Sequence, residues 1–86
     1  MQRHHLAIAV AGLVLLGAPA SAETCSKDLQ EAHVALRRTQ AAPDAIAQAW
    51  QHIVAARQAR AAKHYGACRT EARDALDLLK QAGSKA

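Results

Sequence analysis

Cys25 and Cys68 are the only two cysteines in this sequence of 86 residues, and a bond between them would decide which folds the chain can adopt. A disulfide persists only in an oxidising compartment, so the pairing depends on export. The N-terminus predicts export. Met1 to His5 is polar and basic through Arg3, and the 11 residues from Leu6 to Leu16 are uncharged and largely apolar. A membrane-spanning helix needs about 20 such residues. Gly17 and Pro19 then break the helix, and Ala20-Ser21-Ala22 presents small side chains where a signal peptidase admits them. Residues 1–22 therefore read as a secretory signal peptide cleaved after Ala22, with cleavage after Ala20 as the alternative. A periplasmic or secreted protein with no stable membrane span after cleavage follows.

The remaining segment, 23–86, has 64 residues with 10 Lys+Arg, 7 Asp+Glu and 17 alanines. It is one domain at most, too short for a nucleotide-binding α/β fold or a barrel enzyme. Its few large apolar side chains promise a marginal core, about 3 to 5 kcal/mol for chains of this size. An intramolecular Cys25–Cys68 bond would close a loop of about 44 residues, which chain entropy values at about 4 kcal/mol. The staple would thus rival the core. An intermolecular bond is the alternative, and the wide separation speaks against a redox pair, which usually has the form C-x-x-C.

Alanine and straight-chain residues dominate, and within 23–86 proline occurs only at Pro43 and glycine only at Gly66 and Gly83. This is a helix composition. The first helix is expected over about 26–41, with Cys25, Leu29, Ala32 and Leu36 on one face. Pro43 and Asp44 suit the start of a second helix, placed at about 44–62, whose buried face would hold Ile46, Ala49, Trp50, Ile53 and Ala56. If residues 43 to 81 formed one rod, antiparallel packing would leave the cysteines about 13 Å apart in level, against the 6.8 Å limit for bonded Cα atoms. A break around Lys63 to Gly66 removes the conflict. A third helix over about 66–81 then carries Tyr65, Cys68, Ala72, Ala75, Leu76 and Leu79 as its apolar stripe. The expected fold is all-α: a small up-down-up three-helix bundle stapled by one disulfide.

The stretch Ala59 to Leu79 (ARAAKHYGACRTEARDALDLL) resembles the helix-turn-helix passage of small alanine-rich exported bacterial proteins, which have no assigned function. It also resembles the second helix of a tetratricopeptide unit, with Lys63-His64 in place of the usual Gly-Asp before the tyrosine. A single unit cannot bury its own face, so no repeat protein is implied. The strings TCSKDL at Thr24 to Leu29 and ACRTEA at Ala67 to Ala72 are similar to parts of the small acid-stress chaperones of the periplasm. That resemblance implies a helical protein that exposes apolar stripes when its carboxylates are protonated.

The charges follow the helix dipoles: Asp28 and Glu31 open the first helix and Arg37 and Arg38 close it. Asp44 opens the second, which Arg57, Arg60 and Lys63 close, and Glu71 and Lys80 flank the third. Within the third helix, Arg73 and Asp77 stand one turn apart. One Trp and one Tyr give no stacking platform, so nucleic acid is not an expected partner. His33 and His52 are expected at similar height on an antiparallel hairpin, a pair that falls short of the three or four ligands zinc needs. No cofactor is expected, since no C-x-x-C-H occurs and the segment has no Met. No catalytic constellation is present, and a bundle this small has little room for a pocket of about 300 Å³. The expected function is non-enzymatic: contact with an unknown envelope protein or self-association, with Trp50, Ile53 and Tyr65 as candidate interaction residues. The alternative is a periplasmic acid-type stress chaperone. Weak binding of anionic envelope surfaces or metal is a further option.

Overall fold

The structure is a computed structural model that describes residues 20–84. The predicted signal segment up to residue 19 and residues 85 and 86 lie outside the described residues. Three helices and no strand make up the described part: α1 (Ala22–Arg38), α2 (Pro43–Ala61) and α3 (Tyr65–Ser84).

Helix α1 starts four residues earlier than the sequence predicts, because Ser21 and Thr24 form a reciprocal capping box. The Thr24 amide donates to Ser21 Oγ at 3.2 Å, and the Ser21 amide donates to Thr24 Oγ1 at 3.0 Å. Two of the unpaired N–H groups that open any helix are thereby satisfied. The helix also stops at Arg38, short of the expected Ala41. Thr39 Oγ1 accepts a hydrogen bond from the Ala41 amide at 3.1 Å, and Ala42 is extended, the conformation favoured before proline. Pro43 then occupies the first turn of α2, where its missing N–H costs nothing.

The break after α2 is a Schellman motif. The His64 amide donates to the Ala59 carbonyl at 2.8 Å and the Lys63 amide to the Arg60 carbonyl at 2.9 Å. Lys63 sits at φ 65°, the left-handed position that glycine usually fills. The chain reverses within three residues, and Gly66 lies inside α3. That helix spans 65–84, longer than the expected 66–81, so Glu71 and Lys80 are interior residues and its first and last turns carry no complementary charge.

Three contacts fix the topology. The Cys25–Cys68 disulfide, with Cα atoms 5.6 Å apart, joins the starts of α1 and α3. Ser26 Oγ accepts from Arg60 Nη1 at 3.3 Å, bringing the end of α2 to the same level. Arg38 and Gly83 share a groove at the opposite pole. The helices therefore run up, down and up, with α3 packed closely on both neighbours and α1 touching α2 least.

The core has few large side chains. Leu29, Ile53 and Leu79 supply its aliphatic bulk, while Ala32, Ala49, Ala56, Ala72 and Ala75 let the backbones approach. Ile53, Cys25 and Cys68 are the largest fully buried side chains. The disulfide is therefore interior filling as well as a crosslink.

Asp28 departs from its expected role as an exposed helix-opening charge; Glu23 takes that position in the first turn of α1. Asp28 is instead 7% exposed, one turn beyond Cys25, and its Oδ2 accepts from Arg69 Nε at 2.8 Å.

Candidate interaction site between α1 and α2

The buried stripe of α2 runs through Ala49, Ile53 and Ala56, spaced by four and three residues. Trp50 follows Ala49 by one residue, about 100° further round the helix, and so leaves the core. Its expected place on the buried face is not the one it takes: it is 43% exposed, and its ring stands edge-on to His33 with centroids 6.1 Å apart and planes at 70°. Such an edge-to-face arrangement is favourable between aromatic rings and sets the indole against His33 at the α1–α2 seam.

Ile53 is fully buried, which removes it from any surface contact and corrects its nomination as an interaction residue. Tyr65, the first residue of α3, is half-buried and packs against the core. Of the three nominated residues, only Trp50 presents a large apolar surface to solvent.

Beside the Trp50–His33 pair, α1 and α2 enclose an open groove of about 480 Å³. Its described lining is Ser26, Leu29, Gln30, His33 and Arg37 from α1 with Arg57 and Arg60 from α2. Arg57 and Arg60 also border a second concavity of about 430 Å³ with Val54 and Ala61. Both concavities are open to solvent along the surface and enclose no buried pocket of the kind that engulfs a small ligand. The limited contact between α1 and α2 leaves their seam open.

Arg37, Arg57 and Arg60 suit the C-terminal ends of their helices, as the dipole argument requires. Packing α1 antiparallel to α2 adds what that argument omits: Arg57 and Arg60 lie level with the start of α1 and Arg37 about 16 Å further along it, so that the three are spread along one open concavity. The i,i+3 spacing of Arg57 and Arg60 is visible in the sequence, whereas the arrival of Arg37 depends on helix register.

His33 and His52 do not meet. His52 faces α3, where its Nδ1 lies 2.7 Å from Glu71 Oε1. Ligand atoms of His52, Glu71 and Asp74 lie within 4.8 Å of one another, with Asp74 exposed. The carboxylates share a face of α3 through their i,i+3 spacing, and three such donors fall short of a closed four-ligand zinc site.

No protein family, curated protein or solved structure matches this chain. Its functional reading rests on its own residues. No helix among the described residues is long and apolar enough to cross a membrane.

Proposed function

We propose that this is an exported, non-enzymatic helical protein that acts through protein–protein contact, using the α1–α2 face around Trp50. The observation that carries the reading is the exposure of Trp50, a large aromatic held against His33 beside a groove and outside a core that lacks bulky side chains. Tryptophan is enriched among the residues that dominate binding at protein interfaces. Export agrees with the buried Cys25–Cys68 bond and with the leader-like residues 1–22, in keeping with the resemblance to small alanine-rich periplasmic proteins.

The test is Trp50→Ala. A core tryptophan would cost about 3 to 5 kcal/mol on truncation, whereas this one is expected to leave the helical circular dichroism intact. The same variant should lose whatever the wild-type protein captures from envelope extract, or lose its self-association. A wild-type protein that stays monomeric at high concentration and captures nothing would refute the reading. Intact-mass measurement of the exported form checks the rest, since recovery of the full 86 residues in a membrane fraction would contradict export with cleavage.

A further inference from the structure

We infer that the α1–α2 groove binds a carboxylate-rich amphipathic polypeptide segment; this rests on the protein-contact reading and names the chemistry of the partner. The first ground is positive charge with no carboxylate paired to it. The ion pairs among the described residues are His52–Glu71 and Arg69–Asp28, so none of Arg37, Arg57 and Arg60 is ion-paired, and Arg60 donates only to the neutral Ser26 Oγ. All three are exposed arginines that line the same concavity, whose described lining holds no acidic residue. A lining with charge of one sign attracts an anionic occupant. Arginine also supplies the planar fork that grips a carboxylate with two parallel hydrogen bonds.

Shape and apolar content choose among anions. A groove between two helices admits a chain, whereas a lipid surface is met by a flat or convex basic face. Leu29 lies on the floor, Val54 and Ala61 border the adjoining concavity, and Trp50 stands beside His33 on the same seam. Apolar positions interleaved with arginines fit a segment that alternates acidic and aliphatic side chains at helical spacing, laid along the seam as a fourth helix. Free phosphate or an anionic glycan would leave the apolar positions without a partner.

Trp50 is the chain's single tryptophan, so its fluorescence reports directly on the seam. The experiment titrates purified protein with a synthetic peptide carrying Glu and Leu at i,i+3/i+4 spacing, and separately with inorganic phosphate and with phosphatidylglycerol vesicles. The peptide should shift Trp50 emission saturably, with affinity falling as salt rises. Arg57→Ala with Arg60→Ala should weaken it by about tenfold or more, and Arg37→Ala by a smaller factor. Arg38→Ala, on the groove between α1 and α3, should change nothing. Undiminished peptide binding by the Arg57/Arg60 variant would overturn the inference. So would a response to vesicles or phosphate without one to the peptide, or self-association of the protein alone that the arginine substitutions abolish. If those substitutions leave untouched a capture of envelope protein that Trp50→Ala removes, the groove assignment fails while the contact reading stands.

Discussion

Asp28 and Arg69 are bonded across α1 and α3 at 2.8 Å, next to the disulfide in both helices, with the Asp28 side chain 9% exposed and the Arg69 side chain 40% exposed. Cys25 precedes Asp28 by one helical turn and Cys68 precedes Arg69 by one residue. Covalent and polar ties between the two helices thus occupy the same level of the bundle, and their unequal exposure makes the polar tie asymmetric.

Removing Arg69 strands a carboxylate away from water, whereas removing Asp28 releases a guanidinium that solvent already reaches. Arg69→Ala is therefore expected to cost about 1 to 3 kcal/mol, Asp28→Ala less, and the double substitution about as much as Asp28→Ala alone. Urea denaturation of the three variants measures the order. A larger loss for Asp28→Ala would show that the pair itself, and not desolvation of the acid, dominates.

The disulfide should contribute about 4 kcal/mol, as the loop it closes requires, with further loss on Cys68→Ser from placing a hydroxyl at a fully buried position. Thermal melts with and without reductant test this. Because both sulfurs are buried, reduction should be slow under native conditions and fast once the chain begins to unfold. Unchanged melting after complete reduction would refute the assigned role.

Lys63 holds a left-handed backbone that costs an L-residue about 1 to 2 kcal/mol, while Gly66 spends its flexibility inside a helix. A Cβ at Gly66 meets nothing within 4 Å. Lys63→Gly should raise stability by roughly 0.5 to 1 kcal/mol, and Gly66→Ala, in the first turn of α3, by less. Destabilisation by Lys63→Gly would mean that the lysine side chain contributes more than its backbone strain costs.

The capping box makes the chain's first folded residue consequential. A chain that begins at Ser21 retains both hydrogen bonds with Thr24; one that begins at Glu23 loses them. The longer form should be more stable by about 0.5 to 2 kcal/mol, and Ser21→Ala in the longer form should recover most of the difference. Equal melting temperatures for the two forms would contradict this.

The apolar spacing of α1, the proline before α2 and the near absence of other breakers made three helices legible in the sequence. The disulfide was legible too, because two cysteines allow only one intramolecular pairing and the rise per residue then forbids a single long second helix. Those are local or one-dimensional constraints. Helix ends were less accessible: the start at Ala22 depends on a Ser-Thr reciprocal cap, and the turn places its left-handed residue at Lys63 although a glycine stands three residues away.

Tertiary structure alone decided the exposure of Trp50, the burial of Asp28 and the alignment of Arg37, Arg57 and Arg60 along one groove. Each depends on which sector of a helix meets its neighbour, and a shift of one residue turns a side chain by about 100°. Trp50 shares the helical stretch of Ile46 and Ile53, so hydrophobicity assigns it to the core. The buried sector of α2 is set by Ala49, Ile53 and Ala56, and Trp50, about 100° round from Ala49, is left at the edge of the α1–α2 seam.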